Sequence, residues 1–278
     1  MSATHARTKP FLRLATAALA TVAALGMAAC SGGAGSDSAT GAQVGDRSPE
    51  QIKEAGEIVI GIFSDKAPFG YIDADGKPAG YDVVYGDRIA ADLGVTAKYV
   101  PVDAAARTEV LASNKVDITL ANFTVTPERA EKVDFANPYF KVSLGVVSPS
   151  SAEITDVGQL AGKTLIVTKG TTAEAYFEAN HPEVKLQKYD QYSDAYQALE
   201  DGRGDAFSTD NTEVIAWAIA HPGFSVGIKS LGETSYIAAA VKKGNAPLLD
   251  WLNNQLTELG EENFFHKDYE QTLAPVYG

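Results

Sequence analysis

The chain has 278 residues, and 45% of them are hydrophobic, which is enough for a packed core in one large domain or two smaller ones. Its formal net charge is −13, and it contains no block of lysines and arginines. Because phosphates need concentrated positive charge, this composition excludes nucleic acid as a partner.

The first 29 residues are predicted to be a secretory signal peptide. Arg7, Lys9 and Arg13 precede an apolar run from Leu14 to Ala29 that ends in small residues. The alternative, a transmembrane helix, would need about 20 apolar residues, and this run is shorter.

Cys30, the only cysteine, follows this run directly. The sequence MAAC resembles a bacterial lipobox, whose cysteine becomes the lipid-modified first residue, although Met27 stands where such boxes usually carry leucine. Residues 30–50, rich in Gly, Ser and Ala, are predicted to form a flexible, lipid-anchored tether. These segments predict a protein outside the cytoplasm that is attached to the bacterial cell membrane. The alternative for Cys30 is a free thiol buried in the fold.

From residue 51 onward, strand and helix patterns alternate, which indicates an α/β sheet. The first unit contains, in order, the strand EIVIGIF, a hairpin at Asp75–Gly76, the helix 81–94 ending at Gly94, the strand AKYVPV, the helix AAARTEVLASNKV and the strand DITLA. A second unit repeats the pattern with LGVVSP, TLIVT, TTAEAYFEANHP, VKLQKYD, SDAYQALEDGR, DAFSTD and NTEVIAWAIAHP. The final strand, SYIAAAVKK, and the helices from residue 246 fit either unit.

Polar residues gather where the strand DITLA gives way to a helix. Thr126 fits an N-cap and Pro127 the first helical position. A helix N-terminus favours an anion, and Arg129 in the first turn is able to grip a carboxylate with two hydrogen bonds. With Asn122 and Thr124 just before the helix, this stretch indicates a carboxylate site; the alternative is a capped surface helix with a solvated arginine.

Two further segments carry similar signals in the second unit. Gly170 allows close backbone approach, and Thr171 with Glu174 fits a capping box, so this loop and Thr172 present another helix N-terminus. Asp210 ends a short strand, where ligands gather in open α/β sheets. It is a candidate partner for an ammonium group, or alternatively an ordinary N-cap. Together the segments complement an α-amino acid.

The segments GYDVVYGDRIA, NFTVTPER, KGTTAE and DAFSTDN resemble the polar amino-acid family of extracellular solute-binding proteins, the receptors of ABC importers. Val84 departs from the second acidic position of the first motif. The resemblance implies an α/β, two-lobe periplasmic-binding-protein-like fold (type II) with a two-strand hinge, near KVSLGVV and YIAAAVK, and a ligand cleft between the lobes. Lobe 1 would comprise residues 51–143 and 238–278, and lobe 2 residues 144–237.

The resemblance also implies roles for individual residues. Asn122, Thr124 and Arg129 would bind the α-carboxylate of the ligand, helped by the backbone N–H of Thr172 beside Thr171. Asp210 would bind the α-ammonium. Closure of the cleft around the ligand would then be recognised by a membrane permease.

The ligand is predicted to be a polar amino acid, with cysteine first and glutamate or aspartate second. The segments DKAPFGY, ANFTVTPERA, KGTTAEAYF, DNTEVIAWA and GEENFFHKDYEQTL resemble the cysteine-binding branch of the family. Lys66 stands where relatives often have an aromatic residue, and Arg107 where acidic-amino-acid receptors direct an arginine to the ligand. Both are predicted to contact the ligand, with solvated positions at the cleft lip as the alternative.

Other functional classes have weaker support. A periplasmic dehydratase is known on this fold, but no single carboxylate is marked out for acid–base chemistry, and no G-x-S-x-G motif occurs. The four histidines have no metal-ligand spacing. We therefore predict a monomeric binding protein rather than an enzyme, without metal or cofactor; a sensor that binds without import is the third possibility.

Overall fold

The computed structural model describes residues 42–277, which form an α/β fold around an eight-stranded sheet. The strands are β1 Glu57–Ile62, β2 Asp65–Lys66, β3 Gly70–Ile72, β4 Pro78–Ala79, β5 Thr96–Pro101, β6 Ile118–Thr119, β7 Val133–Pro149, β8 Thr164–Thr168, β9 Lys185–Tyr189, β10 Ala206–Asp210 and β11 Phe224–Lys242. The helices are α1 Pro49–Ala55, α2 Tyr81–Leu93, α3 Arg107–Ala112, α4 Pro127–Ala130, α5 Thr172–Asn180, α6 Tyr192–Glu200, α7 Asn211–Ala220, α8 Ala246–Glu261, α9 Phe264–Asp268 and α10 Ala274–Tyr277, with a π-helical turn at Tyr269–Leu273.

The strand order of the large sheet is β5-β1-β6-β11-β7-β10-β8-β9. β1 pairs in parallel with β5 and β6, and β8 pairs in parallel with β9 and β10. Between these two parallel groups run β7 and β11, which are 17 and 19 residues long and antiparallel to each other. They contain the KVSLGVV and YIAAAVK segments, so the predicted crossing strands do connect the two α/β units.

Local sequence signals explain several element ends. α2 ends at Gly94, whose left-handed φ of 71° suits a residue without Cβ, as predicted from the sequence. The hairpin at Asp75–Gly76 joins β3 to β4, with Gly76 at φ 77°. β6 is only two residues long, because the chain turns away from the sheet at Ala121 and Asn122, which have positive φ values of 32° and 42°.

The interior is divided into three hydrophobic clusters. One lies on lobe 1 and includes Ile60, Tyr85 and Leu252, and another on lobe 2 includes Phe177. The third cluster draws residues from both lobes, and within it the ring of Phe63 in lobe 1 meets that of Tyr192 in lobe 2 edge to face, with centroids 5.3 Å apart. The lobes therefore pack against each other through aromatic side chains as well as through the sheet.

The fold begins before residue 51, earlier than the sequence suggests. The Gly45 backbone N–H donates to Oδ1 of the fully buried Asp117 over 3.0 Å, and Arg47 forms an ion pair with the same carboxylate. Ser48 caps α1. The last part of the predicted tether is thus held to lobe 1, because the buried Asp117 takes its counter-charge from Arg47.

The predicted signal peptide and Cys30 lie outside the described residues. Within residues 42–277, no helix has both the length and the hydrophobicity needed to cross a bilayer. The residue boundaries given above for the two lobes stay a prediction, and lobe 1 and lobe 2 are used below for those stretches of chain.

Candidate functional site

A narrow cleft lies between the two lobes. It is lined by Lys66, Arg107, Asn122, Thr124, Thr171, Thr172, Tyr192, Thr209 and Asp210. Seven of the eight predicted ligand-binding residues are among them. The eighth, Arg129, lies with Arg107 at an adjoining opening of about 110 Å³. The fold therefore brings the predicted residues to one place.

The bend after β6 aims Asn122 into this cleft. Its backbone N–H donates to Oδ2 of Asp82 over 2.7 Å, and the Tyr139 hydroxyl donates to the other oxygen of Asp82, also over 2.7 Å. Burial raises the pKa of Asp82 to about 6, against the lowering effect of these hydrogen bonds. The side-chain amide of Asn122 is buried, and neither its oxygen nor its nitrogen has a hydrogen-bond partner among residues 42–277. Buried polar atoms are normally paired, so this amide has unused hydrogen-bonding capacity at the cleft.

Arg107 is buried, so the solvated lip position considered for it is wrong. Its guanidinium donates to four backbone carbonyls: Nε to Ala104 (2.9 Å), Nη1 to Ala121 (3.2 Å) and Asn122 (3.1 Å), and Nη2 to Gly170 (3.1 Å). Burial lowers the pKa of Arg107. No carboxylate of the described chain pairs with it, so its positive charge is balanced only by carbonyl dipoles and by more distant anions.

Arg129 lies beside Arg107 on α4. This helix begins as predicted, with Pro127 in its first turn and the Thr126 hydroxyl accepting from the Arg129 backbone N–H. The guanidinium of Arg129 donates to the Thr124 carbonyl over 2.7 Å and to the Gly170 carbonyl over 2.8 Å. Burial and the neighbouring charge of Arg107 lower the pKa of Arg129 to about 9. A buried and a half-buried cation, Arg107 and Arg129, neither with a carboxylate partner in residues 42–277, create a preference for an anion here.

Lobe 2 contributes the N-terminus of α5. Thr171 caps it by accepting from the Glu174 backbone N–H over 3.2 Å, as the sequence predicts. The Glu174 carboxylate, however, accepts from the Gly170 N–H over 2.6 Å, one residue earlier than in a standard capping box. Thr172 is the first helical residue, so its backbone N–H lacks an intrahelical partner.

Lys66 is also buried, which excludes a solvated position for this residue as well. Its ammonium contacts Asp210 Oδ2 at 3.0 Å, Glu213 Oε2 at 2.8 Å and the Tyr192 hydroxyl at 3.0 Å, all in lobe 2. Burial alone would lower the pKa of Lys66, but the two carboxylates outweigh it and raise this pKa well above its ordinary value. Asp210 is predicted to bind the ligand's ammonium, but in this structure its carboxylate is paired with the ammonium of Lys66. It stands at the N-cap position of α7 but makes no side-chain capping hydrogen bond.

Sequence reasoning missed three residues of this cluster: Tyr192, Thr209 and Glu213. Thr209 and Glu213 flank Asp210 in the segment STDNTEV, and Tyr192 opens the helix after β9. Burial raises the pKa of Glu213 to about 7, although Lys66 lowers it. The position of all three near the carboxyl ends of parallel strands was the available signal.

The sequence profile of bacterial extracellular solute-binding proteins, family 3, matches residues 58–273. The solute receptor for L-cysteine of Neisseria gonorrhoeae is 51% identical, with a TM-score of 0.82 over 84% of this chain and 96% of that one. The cysteine-binding protein of Campylobacter jejuni is also 51% identical, with a TM-score of 0.81 over 83% and 94%. A glutamine-binding protein of an ABC transporter from Bacillus subtilis strain 168 is 27% identical over 80% of this chain and 83% of its own.

These similarities confirm the two-lobe, type II binding-protein fold and the family resemblance based on the four sequence motifs. They extend over nearly the whole described part of the chain, including every segment that lines the cleft. The chain belongs to the bacterial extracellular solute-binding proteins, family 3.

Proposed function

We propose that this protein is an extracytoplasmic receptor that binds one small polar α-amino acid and delivers it to a membrane ABC permease. The first candidate for this amino acid is cysteine. The observation that carries this proposal is the charge pattern of the cleft. Two guanidiniums without carboxylate partners in the described chain, the buried Arg107 and the half-buried Arg129, lie on one side, and the Asp210 carboxylate lies on the other. A zwitterionic α-amino acid has the complementary pattern.

In this proposal the ligand's carboxylate binds to Arg129, to the unpartnered amide of Asn122, to the hydroxyl of Thr124 and to the backbone N–H of Thr172. Its ammonium binds to Asp210. Each charge-assisted hydrogen bond contributes about 1.5–3 kcal/mol. After the cost of ordering and desolvation, such a set of contacts supports micromolar binding, about −8 kcal/mol, or tighter.

The hydrogen bonds of Arg107 favour cysteine over an acidic amino acid. A guanidinium has five N–H donors, and Arg107 already uses four of them for backbone carbonyls. One remaining donor does not form the two-bond grip that a side-chain carboxylate would need. Arg129 uses two donors and keeps three, so it is the better carboxylate partner. The narrow cleft also favours a short side chain, as do the two receptors named for cysteine at 51% identity.

Calorimetric titration tests this proposal. Residues 42–278 would be purified, unfolded and refolded to remove bound ligand, and titrated with the twenty amino acids and cystine, with thiols kept reduced. We expect one strong response at micromolar or lower concentration, from cysteine. A stronger response to glutamate or aspartate would contradict the donor count at Arg107. No response to any amino acid would contradict the proposed class of ligand.

Three further parts of the proposal concern the whole protein. The protein acts as a monomer, it is anchored to the membrane through a lipid on Cys30, and it releases its ligand chemically unchanged. Mass spectrometry of membrane-extracted protein tests the lipid, and a Cys30→Ala variant should leave the membrane fraction. Chromatography of cysteine recovered after long incubation tests the last point, since a dehydratase-type activity on this fold would consume its substrate.

A further inference from the structure

We infer that Lys66 competes with the ligand's ammonium for Asp210 inside the closed cleft, and that Glu213 keeps Lys66 neutralised when the ligand pairs with Asp210. Glu213 is thus a positioning residue for amino-acid binding, and Lys66 is an internal competitor of the ligand's ammonium. The inference rests on the proposed function and adds a residue pair that sets affinity and selectivity.

The first support is geometric. The ammonium of Lys66 has three donors, and three oxygens, on Asp210, Glu213 and Tyr192, lie within 3.0 Å of it, with the Thr209 hydroxyl farther away at 3.4 Å. The side chains of Lys66 and Glu213 are each 1% exposed and that of Asp210 is 7% exposed. The nitrogen also lies 4.3 Å from the ring centre of Tyr192, where a cation is attracted by the ring face.

The second support is that the carboxylate of Glu213 is held by more hydrogen bonds from its own lobe than the carboxylate of Asp210 is. Glu213 is held on both oxygens, because the Tyr196 hydroxyl donates to Oε1 over 3.2 Å and the Thr209 hydroxyl to Oε2 over 2.9 Å. It does not line the cleft, whereas Asp210 does. Asp210 is therefore the carboxylate that a ligand reaches, and Glu213 the one that stays with Lys66.

The third support is charge balance. A buried ammonium without an anionic partner is strongly unfavourable, so Lys66 on its own would hold Asp210 tightly and exclude a second ammonium. With Glu213 present, Lys66 keeps one carboxylate after Asp210 turns to the ligand. Removing the charge of Glu213 should consequently strengthen the competition between Lys66 and the ligand.

The test compares cysteine with 3-mercaptopropanoate, which lacks the amino group and leaves the Lys66–Asp210 pair intact. The full chain in detergent would be titrated as wild type, Lys66→Met, Glu213→Gln and the double variant. We expect Glu213→Gln to weaken cysteine binding at least tenfold and the double variant to regain at least half of that loss on a logarithmic scale. In Lys66→Met, the preference for cysteine over 3-mercaptopropanoate should rise at least tenfold.

The control is Asp268→Asn, which replaces another buried carboxyl group that does not line the cleft. This variant should prefer cysteine over 3-mercaptopropanoate to the same degree as the wild type. If Lys66 and Glu213 had only a structural role, the variants would bind both ligands more weakly by the same factor, and the double variant would not recover affinity. Either result would overturn the inference. If Glu213→Gln does not fold, an unchanged preference in Lys66→Met still overturns it. A wild type that binds no amino acid contradicts the proposed function itself, and the inference with it.

Discussion

Gly170 lies against Ala105 across the cleft, and replacing it with alanine should prevent the lobes from closing. A Cβ on Gly170 would lie 2.7 Å from the backbone nitrogen of Ala105 and still closer to its Cα. These are backbone atoms, so a side-chain rotation does not relieve the overlap. The same residue offers its carbonyl to both Arg107 and Arg129, and those hydrogen bonds are lost when the lobes separate.

The magnitude follows from these contacts. At φ 73°, alanine at position 170 adds roughly 1–2 kcal/mol of backbone strain, which lowers stability whether the lobes are open or closed. Closure itself is opposed by the overlap with Ala105 and by the loss of two charge-assisted hydrogen bonds, each about 1.5–3 kcal/mol. We therefore expect the ligand to bind at least about 100-fold more weakly, which corresponds to about 2.8 kcal/mol.

Calorimetry would measure the affinity, and small-angle X-ray scattering the decrease in radius of gyration when cysteine is added. The matched control is Gly162→Ala, which has nearly the same φ, 74°, but no atom within 4 Å of the added Cβ. It should lose similar stability while keeping both affinity and compaction. Binding by Gly170→Ala within threefold of the wild type would refute the steric reasoning.

Three further predictions concern single charged groups. Arg129→Ala should weaken cysteine binding at least about 100-fold, because two or more charge-assisted hydrogen bonds are lost. Asp210→Asn should weaken it about tenfold or more and should affect 3-mercaptopropanoate less, since only the ammonium contact is removed. Burial raises the pKa of Asp268 to about 8, and its Oδ2 has no hydrogen-bond partner among residues 42–277. The folded state therefore takes up a proton that the unfolded chain lacks between about pH 4 and pH 8, so the free energy of unfolding should fall as the pH rises through this window. Relative to the wild type, Asp268→Asn should become more stable by about 2–4 kcal/mol between pH 5 and pH 9.

Calorimetry checks the first two variants, with circular dichroism to establish that each is folded. Unchanged affinity in both Arg129→Ala and Asp210→Asn would show that the ligand binds elsewhere. Urea unfolding at pH 5 and pH 9 checks Asp268→Asn. A difference from wild type that is the same at both pH values would mean that Asp268 is charged in the folded protein throughout this range.

The local elements were predictable because their signals lie within a few residues of one another. Thr126 and Pro127 start α4, Gly94 ends α2, and Thr171 caps α5, each through backbone geometry that depends on adjacent residues alone. The predicted helix around Arg107 was too long, since α3 covers only Arg107–Ala112. The signal that ends it is local and was overlooked: Asn114 takes a left-handed φ of 59°, and the N–H groups of Asn114 and Lys115 donate to the carbonyls of Leu111 and Val110.

The sequence by itself determined the α/β class, through periodicity, and the family and seven of the nine residues that line the cleft, through the resemblance of short motifs. Only the tertiary structure decided what those residues do to one another. Lys66 meets Asp210 from 144 positions away, and Arg107 meets the Gly170 carbonyl from 63 positions away. No spacing rule encodes such pairs, since they exist only when the two lobes pack together and bring Lys66 and Arg107 of lobe 1 against Asp210 and Gly170 of lobe 2.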